Sequence, residues 1–152
     1  MPLFGDRKPF PYLQTEFNEL SAMFSPDGRC VAYQSDETGG FEVYLAPFPG
    51  GSGNWQVSQG GGVQPTWKRD GGSLFYLAPG GKLMEASVKH KGSSVEVGIP
   101  HQLFQMTLIS REPFRGAYTV APDGQRFLVN IAQQGGAPEP LTLVTNWTAG
   151  LK

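Results

Sequence analysis

Three short stretches constrain this chain more than anything else in it. FSPDG at 24–28, WKRDG at 67–71 and VAPDG at 120–124 each carry an Asp-Gly pair, and the aspartates stand 43 and 53 residues apart. After each comes a run rich in β-branched and aromatic residues: CVAYQS, SLFYLAP and RFLVNI. After each of those comes a second: FEVYLAPF, KLMEASVK and LTLVTNW. Runs of this kind, bounded by Gly, Pro or polar clusters, read as strands. The loop before each pair reads as a hairpin connector. In the first, Pro26 sets φ for a turn, Asp27 can bond the backbone beyond it, and Gly28 takes a φ that other residues resist. A metal-binding reading of Asp27, Asp70 and Asp123 is rejected, because such loops need several oxygen ligands close together and each offers one carboxylate. Asp36 and Glu37 read as a solvated turn.

A repeat of roughly 40 to 45 residues with four strands is the sequence sign of a propeller blade. The expected fold class is therefore all-β, a β-propeller of four-stranded antiparallel blades, about three of them in this chain. Blade one covers residues 20–58 (LSAMF, CVAYQS, FEVYLAPF, WQVS) and blade two 63–105 (VQPTW, SLFYLAP, KLMEASVK, HQLFQ). Blade three covers 116–147 (GAYTV, RFLVNI, LTLVTNW) and lacks a fourth strand, which PYLQ at 11–14 is expected to supply. Phe17, Leu20 and Phe24 also fit a helical spacing, but the same repeat position elsewhere is strand-like. Composition agrees: 21 glycines and 13 prolines in 152 residues chop a chain into short pieces. Propellers close with about four to eight blades, so three leave two faces open. Pairing of two copies into six blades, each chain's PYLQ completing the other's last blade, is the expected remedy.

The repeat FSPDGRCVAYQSDETGGFEVYLAPFPG resembles the TolB-like propeller repeat, a relative of the WD repeats. RKPFPYLQTEFNE, GGGVQPTWKRDG, LFYLAPGGKLM, VAPDGQRFLVN and LTLVTNWTAGLK resemble, more narrowly, the propeller section that follows the kinase domain in acidobacterial Ser/Thr protein kinases. The kinase motifs themselves are absent from this sequence, so the resemblance carries no kinase residue onto it.

The search for chemistry yields little. There is no Gly-x-Ser-x-Gly elbow. QGGGVQP and PGGKL lack the spacing of phosphate or dinucleotide loops. His90 and His101 stand apart from any metal-spaced cluster, and Cys30 reads as a small buried side chain. Glu42 and Glu85 fall near matching third-strand positions, read as facing solvent, so a lyase or glycosidase reading is set aside. The sequon at Asn146 is discounted. Trp67 reads as packed between blades, and Trp55 is the weak candidate for an exposed ligand platform. No basic run supports nucleic-acid binding, no apolar run is long enough to span a membrane, and MPLFGDRKPFPYL is not a signal peptide as written. The expectation is a non-enzymatic interaction or scaffold module that binds protein or peptide partners and itself, without cofactor or metal. The alternative is a regulatory or sensor section of a larger kinase or peptidase.

Overall fold

A computed structural model describes residues 8–50, 53–92, 94–108, 116–131 and 142–144. Among these every regular element is a strand, and the strands form three antiparallel sheets in chain order. Blade one is β1 (Glu19–Phe24), β2 (Cys30–Ser35), β3 (Glu42–Pro47) and β4 (Trp55–Gln56), each paired with the next. Blade two is β5 (Val63–Trp67), β6 (Ser73–Ala78), β7 (Lys82–Lys91), β8 (Ser94–Val97) and β9 (His101–Gln105). Blade three is β10 (Tyr118–Val120), β11 (Phe127–Val129) and β12 (Thr142–Val144). The molecule is a section of a β-propeller.

The three Asp-Gly loops join first and second strands, and each aspartate does the same backbone work. Arg29 N–H donates to Asp27 Oδ1 at 3.1 Å, Gly72 N–H to Asp70 Oδ1 at 2.9 Å, and Gln125 N–H to Asp123 Oδ1 at 2.9 Å. Gly28, Gly71 and Gly124 hold φ of 71°, 74° and 69°, a region that an L side chain resists. The turns also touch across blades. A Cβ on Gly71 would stand 3.6 Å from the Pro26 ring, and one on Gly124 would collide with the Lys68 stem.

Strand alternation sends each blade's two faces to two cores. One lies between blades one and two, where Cys30, Ala32, Val43 and Leu45 meet Trp67, Leu74, Tyr76 and Ala86. The other lies between blades two and three, where Phe75, Leu77, Leu83 and Leu103 meet Phe127 and Val129. Trp67 enters the first core from β5 and donates its indole N–H to the Met23 carbonyl at 3.3 Å.

Two strand assignments change. β8 is unforeseen: β7 is ten residues long, so its first half pairs β9 (Lys82↔Gln105 to Glu85↔His101) while its second half pairs β8 (Val88↔Val97 to Lys91↔Ser94). Residues 11–14 are not a strand and do not lie in blade three. Tyr12 and Leu13 pack on Tyr33, Tyr44 and Ala46 of blade one, and the Tyr12 hydroxyl donates to the Pro47 carbonyl at 2.5 Å. The reason is burial: Tyr12 and Leu13 cover the apolar face formed by Tyr33, Tyr44 and Ala46.

β1 and β5 carry bulges, and the one in β5 joins blades one and two, whereas β10 pairs β11 without a register shift. β1 and β5 both shift register, and Ser21 and Gln64 there each hold φ of 55°. A bulge frees its N–H from the ladder, and the blade before supplies an acceptor. Gln64 N–H donates to the buried Gln34 Oε1 at 2.8 Å, and Ala117 N–H donates to Gln64 Oε1 at 2.8 Å. Tyr118 donates its hydroxyl to the Gln64 carbonyl at 2.9 Å, and burial pushes that phenol well above its ordinary value.

Candidate functional site

The two glycine-rich stretches meet in space. Gly61 and Gly62 belong to the connector from blade one to blade two, and Gly80 and Gly81 to the β6–β7 hairpin. Together with Val63, Gln64, Leu77, Pro79 and the segment Gln105–Leu108 they wall a cavity of about 880 Å³, with Phe41 at one side. That volume lies within the range of small-molecule and side-chain pockets, about 300–1,000 Å³.

Glycine is required where walls come close. At Gly61 (φ 110°) a Cβ would lie 2.6 Å from the Pro79 ring, and at Gly81 (φ 75°) it would overlap the Met106 carbonyl oxygen. Two bonds fix the segment 105–108 to the hairpin: Gln105 Nε2 donates to the Gly80 carbonyl and Met106 N–H to the Gly81 carbonyl, both at 2.9 Å. Glu42 fixes the connector. Its Oε1 accepts Gly61 N–H at 2.8 Å, its Oε2 accepts the Ser58 hydroxyl, and Ser58 Oγ in turn accepts Val43 N–H at 2.7 Å.

Glu42 is therefore no solvent-facing residue. It is 8% exposed, because the unpaired donors of a glycine connector need a buried acceptor. Glu85 is also shielded, with His101 Nε2 3.6 Å from its carboxylate. The two glutamates do not match in the repeat either: Glu42 pairs with Ser35 at the start of β3, while Glu85 pairs with Phe75 in mid-β7. His90 lies 3.8 Å from Asp27. The two histidines thus each face one carboxylate, and no group of three potential metal ligands gathers among the described residues.

Trp55 does not reach the cavity. It sits in β4, half-buried against the first core, so it is not the exposed platform expected. Cys30 is buried in that same core, and burial raises its thiol pKa. Trp147 and Asn146 lie outside the described residues. What sequence reasoning missed is the cavity itself. Its signal was present as two glycine runs, but their meeting depends on blade stacking.

The cavity's chemistry is plain. Among the described residues its walls are mainly aliphatic carbon and glycine backbone, its side-chain polar groups are Gln64, Gln105 and Thr107, and no ionisable side chain lines it. It can exclude water from an apolar group and offer amide and hydroxyl bonds at its rim.

No family model matches the sequence, and no curated protein matches it. Solved structures do. An oligogalacturonate lyase in complex with manganese aligns over 70% of this chain and 26% of its own, at 17% identity and TM-score 0.50. The oligogalacturonate lyase of Vibrio parahaemolyticus aligns over 78% of this chain and 31% of its own, at 16% identity and TM-score 0.53. TolB from Acinetobacter baumannii aligns over 90% of this chain and 43% of its own, at 18% identity and TM-score 0.45. This chain thus spans less than half the length of each. At these identities the likeness is one of fold, and a β-propeller is that fold. The resemblance to the propeller section of bacterial kinases is not shown.

One expectation is corrected by these matches. The chain was read as non-enzymatic, yet two of the structures sharing its fold are lyases, so this architecture is one on which catalysis occurs. The non-enzymatic reading rested on the lack of a catalytic motif and on Glu42 and Glu85 being taken as solvent-facing, and a shared fold does not exclude catalysis.

Proposed function

We propose that this chain is a propeller section that binds an uncharged, largely apolar segment of a protein or peptide partner in the glycine-walled cavity of blade two. The observation that supports this is the cavity's lining: among the described residues it has aliphatic walls, three neutral polar side chains and no ionisable group. Such a site rewards burial of apolar surface, about 25 cal/mol per Å² before the cost of association. The Gln105 and Thr107 side chains at the rim suit a peptide, whose own main chain needs partners. An oligogalacturonate is a polyanion, and a site for one calls for cationic side chains; the described lining residues include none.

The test is a titration of the ¹⁵N-labelled chain with a capped neutral tetrapeptide of leucine, phenylalanine and alanine, and separately with trigalacturonate. Shifts confined to 61–64, 78–81 and 105–108 with the peptide alone are expected. Thr107→Trp, which places an indole over the mouth from an exposed position, should weaken the peptide at least about fivefold. Shifts at these loops with trigalacturonate and none with the peptide would overturn the proposal in favour of a saccharide site.

A further inference from the structure

The repeat register shows what each open face of the section is built to meet. At both internal junctions the later blade offers two features to the earlier one: a backbone N–H three residues before the end of its first strand, which is a bulge N–H in β5 but not at β10, and the residue that closes that strand. Gln64 and Trp67 do this toward blade one, and Ala117 and Val120 toward blade two. Blade one carries the same pair, Ser21 and Phe24, and no described blade precedes them; the Phe24 ring meets Phe48 of its own blade edge-on at 4.8 Å. Ser21 holds the same φ of 55° as Gln64, and no side-chain acceptor meets its N–H among the described residues. Phe24 is 58% exposed, and its neighbour Met23 is 44% exposed, where Trp67 is buried. Tyr12 and Leu13 cover only the part of this face over β2 and β3.

The other end of the section carries the complement. In β11, Phe127 and Val129 face blade two, so alternation turns Leu128 and Asn130 the opposite way. By register Asn130 occupies in blade three the place of Gln34 in blade one, whose amide oxygen accepts the next blade's bulge N–H. Asn130 is exposed.

We infer that a second copy of this chain covers both faces. The Asn130 amide oxygen of each protomer accepts the Ser21 N–H of the other, and Phe24 packs beside Leu128 as Trp67 packs on blade one. The two contacts are head to tail and equivalent, so two copies close a ring rather than starting a fibre. Three blades from each give six, inside the range of about four to eight at which propellers close. A second copy is favoured over an unrelated partner because the two faces of one chain carry the two halves of one junction. Unlike the strand exchange expected from sequence, this pairing leaves Tyr12 on its own blade.

Light scattering coupled to size exclusion across a dilution series tests this. The expected mass is twice 16.5 kDa. Phe24→Asp should raise the dimer dissociation constant at least about tenfold, with circular dichroism unchanged, while Phe24→Leu keeps the dimer. If the aspartate variant misfolds, a mixture of Ser21→Cys and Asn130→Cys chains decides: a covalent heterodimer under mild oxidation supports the junction. A monomeric parent chain at all concentrations, or no mixed disulfide, overturns it. Neither result touches the pocket, whose residues lie on neither open face.

Discussion

Each turn aspartate holds its backbone partner most strongly while ionised. The Ser25 hydroxyl holds the Asp27 carboxyl below its ordinary value, the Gly72 N–H does so for Asp70, and the Gln125 N–H does so for Asp123. A carboxyl whose pKa is lower in the folded state adds stability above its unfolded value. That stability is lost as pH falls through the folded value. The thermal midpoint should therefore be level from pH 7 to about 5 and fall below about pH 4, where unfolded aspartates take up protons. Asp70→Asn keeps an oxygen for Gly72 but cannot titrate. Its midpoint should fall less steeply over that acid range than the parent's. An identical acid slope in the two proteins would show that this turn is not part of the pH response. The side chains are largely exposed, so the effect is one of slope, not of collapse.

At the scale of elements, the junctions matter more than the strands. Gln64 serves twice: its N–H is a donor to blade one and its side chain is an acceptor for blade three. Gln64→Ala keeps the strained φ and strands the Ala117 N–H. It should cost about 1–3 kcal/mol in urea unfolding. Gln64→Gly loses the same bond but relaxes the φ of 55°, so it should be no less stable than the alanine variant despite glycine's entropy. An alanine variant as stable as the parent would mean that the joint is not held by this side chain. This also marks how far sequence could be read. The β1–β2, β5–β6 and β10–β11 hairpins were legible because Asp-Gly turns and alternating apolar runs are local signals. β8 was not, since SVEV is short and lies between β7 and β9, pairing with the far half of β7 rather than following it as a separate blade strand. Gln34, Gln64 and Glu42 carried no signal either: a buried polar residue declares itself only once the backbone donor it serves is in place. The cavity was illegible for the same reason, being made by glycines whose value lies in what approaches them.

At the scale of the whole molecule, a stack of blades is a one-dimensional array, with stability shared between blades and the interfaces joining them. Blade two is gripped on both faces, blade one by the first core and the Tyr12 segment, and blade three by the second core. Phe127 is the keystone of that last contact: fully buried, edge-on to Phe75 at 5.1 Å between centroids and tilted to Phe104 at 5.6 Å. Truncation to alanine removes both ring contacts and leaves a cavity, a loss of about 3–5 kcal/mol. The loss should not spread evenly. Blade three should open first, so amide exchange in β10 and β11 should speed up by orders of magnitude. Exchange in β2 and β3 should stay near the parent rate, because the first core does not include Phe127. Equal acceleration in all three blades would show that the section unfolds as one unit, with coupling between neighbouring blades stronger than any single interface.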